Sequence, residues 1–194
     1  MAADFEMPLM GVWRYLLDYE NMGIDEKWFT HSFKEEITLP GTLEQNGIGE
    51  AVVDFNTLRL SRRFTYTGAA WYQREVEIPT QWSEMHITFT MERCLWETRV
   101  WVDGEYAGSC GSLSTPHEYE LSSLLTPGRH SLTVRVDNSE KYAIGTWGHA
   151  YSDEMQTIWN GLIGHISLVA APLVFIKSIK VFPDLTSNLS LIHI

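Results

Sequence analysis

The stretch from Tyr142 to Leu168, YAIGTWGHAYSDEMQTIWNGLIGHISL, concentrates side chains that could do chemistry. It sets two Trp, two Tyr, two His, an Asp, a Glu and an Asn between segments that alternate like β-strands. Aromatic rings cover the apolar faces of a sugar, while carboxylates and amides hydrogen-bond its hydroxyls. Trp147, His149, Tyr151, Asp153, Glu154, Trp159 and Asn160 are therefore the candidates for contact with a sugar. Long irregular connections in compact domains are often functional. The same residues also admit a plainer reading, in which the rings pack the loop on itself and the charges are solvated.

Other chemistries find less support. The seven His (31, 86, 117, 130, 149, 165 and 193) are scattered and no HExxH occurs, so no metal site is expected. There is no Gly-rich phosphate loop and no GxSxG elbow, and no serine sits in a motif that would activate it. No cofactor is expected. Glycoside hydrolysis needs two carboxylates flanking the scissile bond, about 5 Å apart in a retaining enzyme. Asp153 and Glu154 are adjacent, and neighbouring residues seldom address one bond. They read as contacts, and no catalytic residue is assigned.

The elements that must position this stretch are strands. Gly11 to Asp18 alternates with Trp13, Tyr15 and Leu17 on one side. Asn21 to Glu36 reads as a loop with a short helix, and Ile37-Thr38-Leu39 as a strand stub ended by a Pro40-Gly41 turn. Thr42 to Arg63 has no period and reads as a long loop, a second place where function could sit. Trp71 to Ile78 alternates with Tyr72, Arg74, Val76 and Ile78 on one face and Gln73, Glu75 and Glu77 on the other. His86 to Glu92 places Ile87, Phe89 and Met91 inward, and Leu95 to Val102 places Thr98, Val100 and Val102 on one face. Asp103-Gly104 is the best hairpin turn in the chain. Glu105 to Cys110 returns from it, His117 to Leu121 is short, and Arg129 to Val136 and His165 to Ala170 alternate again. Many short strands with turn signals and almost no helix predict an all-β sandwich.

Pro172 marks a boundary. Residues 1–172 form the first domain, and Phe175 to Phe182 with Leu189 to Ile194 read as two strands opening a second domain over 173–194, left incomplete here.

Composition narrows the partners. The net charge is −11, with 14 Lys plus Arg against 25 Asp plus Glu, and no basic run exceeds Arg62-Arg63. Nucleic acid and anionic membrane surfaces are not expected as partners. No apolar run approaches the roughly 18 residues of a spanning helix, and the N-terminus lacks a leader pattern. If Asp103-Gly104 is a two-residue turn, Val102 pairs with Glu105 and Cys110 faces Glu97. Cys94 then lies roughly 10 Å away by strand rise. A disulfide needs Cα atoms within about 7 Å. Two free thiols, buried as small hydrophobes, are expected.

These motifs, in this order, resemble the N-terminal sugar-binding domain of glycoside hydrolase family 2, the family of β-galactosidases, β-glucuronidases and β-mannosidases. Gly11-Val12-Trp13 with Asp18 and Trp28-Phe29 matches its opening, and Ile37 to Thr42 its LPG-type turn. Tyr66, Gly68, Ala70-Trp71-Tyr72, Arg74, Ile78-Pro79 and Trp82 match its most specific motif. Glu92-Arg93 followed by Thr98 to Gly104 and Gly108 matches its central hairpin, Leu132 to Asn138 its late strand and Trp159 to Leu168 its closing motif. The resemblance, most like the β-galactosidase members, covers roughly residues 8–194.

It implies a jelly-roll β-sandwich of the galactose-binding kind, then an immunoglobulin-like sandwich, then a TIM barrel. In the family both catalytic glutamates belong to the barrel, and the acid/base follows an Asn. This chain has no Asn-Glu dipeptide, so the resemblance implies a non-catalytic module, inactive alone, from a retaining carbohydrate-metabolising enzyme. It would brace the barrel and lend a loop to its sugar pocket. Its implied partners are the immunoglobulin-like and barrel domains and a β-glycoside, in a setting that also accommodates an oligomer. In some members an acidic residue just before the closing Gly motif touches the sugar. Asp153 is the nearest counterpart and Glu154 the second. A periplasmic or secreted bacterial location follows from the resemblance alone. Two other readings stand beside it: a free-standing carbohydrate-binding module with Trp147, Tyr151 and Trp159 as its platform, and a purely structural interface domain, marked by a large exposed apolar patch.

Overall fold

A computed structural model of the chain describes residues 5–53, 62–145, 158–176, 179–184 and 189–193. In chain order the strands are β1 Glu6–Pro8, β2 Gly11–Asp18, β3 Glu35–Leu39, β4 Gly41–Thr42, β5 Glu50–Ala51, β6 Phe64–Thr65, β7 Ala69–Ile78, β8 His86–Arg93, β9 Glu97–Val102, β10 Glu105–Gly111, β11 His117–Glu120, β12 Gly128–Asp137, β13 Gly161–Ala171, β14 Lys180–Asp184 and β15 Leu189–His193. The only helical pieces among the described residues are single 3-10 turns at Trp28–Thr30 and Thr80–Trp82.

Two antiparallel sheets form a jelly-roll sandwich. One runs β10-β9-β12-β7-β2-β3; the other runs β1-β13-β8-β11, with β4 added against β13. Their inner faces close on one core, with Trp13, Tyr72, Val100 and Val134 from the first and Phe89, Met91, Ile166 and Leu168 from the second. Alternation in β8 is a direct consequence: its even positions face out, half-buried or exposed, and Ile87, Phe89 and Met91 are buried.

The outer face of the six-stranded sheet is not solvated throughout, and here the sequence pattern is overridden. Trp71 is fully buried and Gln73 is buried, although both alternate away from the core. The segment from Ile24 to Phe33 folds over them and makes a second cluster with Trp101, in which Phe29 stacks on Trp101 at 5.1 Å. Gln73 holds this strap with its amide, donating to His31 O at 2.9 Å and accepting from Phe33 N at 3.3 Å. Buried Asp18 fixes the strap's start by accepting from Met22 N, Gly23 N and Trp71 Nε1 at 2.7–3.0 Å.

Other departures have local causes. Pro40-Gly41 is not a reversal: the chain leaves β3 in one sheet and enters β4 against β13 in the other. The Asp103-Gly104 turn does pair Val102 with Glu105, but a bulge between Tyr106 and Gly108 shifts the register, so Cys110 faces Thr98 and not Glu97. Both thiols are free, Cys94 buried and Cys110 half-buried. β9 begins at Glu97, since Leu95 and Trp96 leave the strand line to pack elsewhere. β13 begins at Gly161, four residues before the expected start, and carries its own register shift between Ile163 and Ile166. The Thr42–Arg63 region contains the short β5–β6 pair, with residues 54–61 outside the described set. Beyond Pro172 two strands are present, β14 and β15, paired with each other, and the first starts at Lys180, later than the 175–182 pattern.

The buried histidine of β11, His117, serves packing. It shares a 2.6 Å hydrogen bond with the Thr98 hydroxyl and a 3.1 Å bond with Ser112 O, and burial pushes its pKa down.

Candidate functional site

Five of the seven sugar-contact candidates, Trp147, His149, Tyr151, Asp153 and Glu154, lie outside the described residues. What the structure does show is how the two stems of that connection are held. β12 ends at Asp137 and β13 starts at Gly161, and side-chain amides clamp the ends together. Asn138 Nδ2 donates to Trp159 O and to Tyr66 O at 3.0 Å each, while its Oδ1 accepts from Gly68 N at 2.8 Å. Asn160 mirrors it: Nδ2 donates to Gly68 O at 3.0 Å and Val136 O at 3.2 Å, and Oδ1 accepts from the Tyr72 hydroxyl at 2.8 Å. The end of β12 and the residues that lead into β13 are therefore held together at one end of the sandwich, beside the turn before β7.

Asn160 is 2% exposed with its whole amide engaged, so in this chain it positions the stem and presents no polar atom outward. Trp159 is half-buried against Leu95, Trp96 and Ile158 and keeps part of its ring at the surface. Gly161 is required where β13 passes β4: its φ is +144°, and an added Cβ would lie 2.3 Å from Gly41 O.

The first stem carries a charged cluster. Asp137 accepts from Lys141 Nζ at 2.6 Å, from Ser139 N at 3.0 Å and its hydroxyl at 2.5 Å, and from Arg135 at 3.0 Å. Burial pushes the Asp137 carboxyl up, but these hydrogen bonds and the Arg135 charge outweigh it and hold the pKa at about 2, against an ordinary 3.8. Arg135 also reaches Glu97 at 3.5 Å and Asn21 Oδ1 at 2.7 Å. The second stem is tied from the side by Arg62, which donates to Ile158 O. Trp96 N donates to Asp137 O at 2.9 Å, and the Trp96 ring meets Tyr142 at 5.8 Å. Asn138, Trp96 and Tyr142 were not among the candidates. Asn138 sits in the late-strand motif and Trp96 inside the Leu95–Val102 alternation, but only the three-dimensional convergence joins them. No group of three or more His, Cys, Asp or Glu suited to a metal is present among the described residues.

The profile of glycosyl hydrolases family 2, sugar binding domain, matches residues 7–172. The chain belongs to this family. A β-glucuronidase of Paenibacillus borealis is 27% identical over 131 residues, covering 67% of this chain and 20% of that protein. A β-galactosidase of Psychromonas ingrahamii is 23% identical over 194 residues, covering 95% of this chain and 18% of that protein. The apo β-glucuronidase of Ruminococcus gnavus superposes with a TM-score of 0.74 at 18% identity, over 99% of this chain and 34% of that one. The family 2 sugar-binding domain described here thus spans about a fifth of those curated relatives and about a third of the solved enzyme. At 18% identity the superposition speaks for the fold: the jelly roll is shared.

Proposed function

We propose that this sugar-binding domain is a non-catalytic module of a retaining family 2 exo-glycosidase of the β-galactosidase, β-glucuronidase or β-mannosidase class. It braces a catalytic barrel and lends the Gly145–Thr157 loop, with Asp153 at its centre, as one wall of the barrel's sugar pocket. The observation that supports this reading is the paired Asn138 and Asn160 clamp. It fixes both stems of an acidic, aromatic connection at one end of a rigid sandwich, which is how a scaffold holds a binding loop. Residues from 173 onward, including the β14–β15 hairpin, begin an immunoglobulin-like second sandwich in this scheme.

The test is Asp153→Ala in the enzyme that carries this domain. Losing a charged hydrogen bond to sugar removes roughly 1.5–3 kcal/mol, so kcat/KM falls about ten- to hundredfold with the fold intact. Wild-type kinetics would remove Asp153 from the site. Calorimetry on the isolated chain with galactose, glucuronate and mannose addresses the free-standing carbohydrate-binding module: millimolar binding would favour that module over a wall completed by other domains.

A second reading, a structural interface domain, draws on a separate observation. Leu173, Val174, Ile176, Ile179, Val181 and Phe182 are 55–92% exposed in one short run. Apolar surface of this extent marks a surface made to be covered.

A further inference from the structure

Beside the clamped stems, Tyr142 is 62% exposed yet held in place. Its ring lies against Trp96, with centroids 5.8 Å apart and planes inclined by 50°. Its hydroxyl stands over Gly111, where an added Cβ would come within 3.6 Å of it. Next to it the Lys141 side chain is anchored on Asp137 at 2.6 Å, and on the other side Ile144 N donates to Tyr142 O at 2.9 Å. Trp96 behind it is 1% exposed and packs with Ile158 and Trp159 of the other stem. An aromatic ring fixed from behind, with a free face, offers contact area at little further loss of rotamer freedom.

We propose that Tyr142, backed by Trp96, is a stacking platform for the leaving-group portion of the glycoside, a second sugar ring or an aryl group. This rests on the function proposed above. Recognition of the sugar that is transferred needs convergent polar groups in an enclosed site. Among the described residues beside Tyr142, Lys141 and Ser139 are engaged on Asp137, and the Ser112 hydroxyl with Thr115. What these neighbours leave for a ligand is the face of the ring. Such a surface selects for a flat or ring-shaped group and tolerates its identity, so it sets preference among leaving groups and not among transferred sugars.

The experiment uses the full-length enzyme that carries this domain and substrates sharing one glycosyl group: a disaccharide, an aryl glycoside and the glycosyl fluoride, in galactose, glucuronate and mannose series. The ratio kcat/KM reports steps through departure of the leaving group, and fluoride is too small to stack. Tyr142→Ala is expected to lower kcat/KM about two- to tenfold on the disaccharide and aryl glycoside while leaving the fluoride unchanged. Tyr142→Phe, which keeps the ring, is expected to match wild type on all three. Equal losses on fluoride and glycosides would assign Tyr142 a structural role and overturn the proposal, as would unchanged kinetics throughout. Wild-type enzyme that cleaves none of the series would overturn the proposed function itself, a different failure from cleavage without discrimination by Tyr142.

Discussion

At the scale of single residues, Asp137 shows how a buried carboxylate becomes structural. It is 5% exposed, and four hydrogen bonds reach it, from the Arg135 guanidinium, the Ser139 N–H and hydroxyl, and the Lys141 ammonium. Because its folded pKa is depressed to about 2 from 3.8, its contribution is fully present above the ordinary carboxylate range. The contribution is lost as pH falls from about 4 through about 2, and amounts to on the order of 2 kcal/mol. Urea unfolding of the wild type and Asp137→Asn should show a stability gap at pH 5 that narrows by about that amount at pH 2. A gap that stays constant across this window would mean that Asp137 is not the titrating group. His117 weakens the fold in acid by a different route: its pKa is pushed down by burial, so protonation below the ordinary histidine range favours the unfolded chain.

At the scale of elements, the clamp between the end of β12, the start of β13 and the turn before β7 decides where the candidate loop emerges. Asn160 alone ties three places: Tyr72 on β7, Gly68 in the turn and Val136 on β12. Asn160→Ala leaves the Tyr72 hydroxyl and two carbonyls without that partner in a buried setting. A destabilisation of about 2–4 kcal/mol is expected, measured by urea or thermal unfolding. Kinetic loss in the enzyme with unchanged stability would instead make Asn160 a direct sugar contact. The strands themselves were largely legible in sequence, because a half-buried strand must alternate and β2 and β8 do. The exceptions were the places where a second layer covers the sheet. Gln73 reads as outward and polar, and it is outward, but the Ile24–Phe33 strap buries it.

At the scale of the whole molecule, one sandwich is satisfied and one surface is not. The jelly-roll core closes on itself, while the described apolar residues between 173 and 182 lie largely in solvent, Phe175 meeting the His86 ring at 5.0 Å. The 194-residue chain is expected to bind an apolar reporter dye or self-associate through this run. Val174→Lys with Ile176→Lys should abolish both while shifting stability by less than about 0.5 kcal/mol, since Val174 is 92% and Ile176 59% exposed. Dye binding that survives the double substitution would place the sticky surface elsewhere.

The sequence by itself determined the fold class, most of the strands and the family, since alternation, turn residues and ordered motifs are local properties written along the chain. It also marked the Asp103-Gly104 hairpin, which forms as expected, with Asp103 Oδ1 accepting from Ser131 N at 2.7 Å to tie the turn to β12. Tertiary structure decided how the polar residues of the stems are held. Asn160, one of the sugar-contact candidates, is bonded to Tyr72 and Gly68, which are 88 and 92 residues away in sequence. The same holds for Tyr142 and Trp96, whose rings meet because the residue before β9 lies beside the end of β12. Hydrogen bonds and ring contacts between distant segments leave no periodic trace in sequence, so the line between scaffold and site is drawn by the fold.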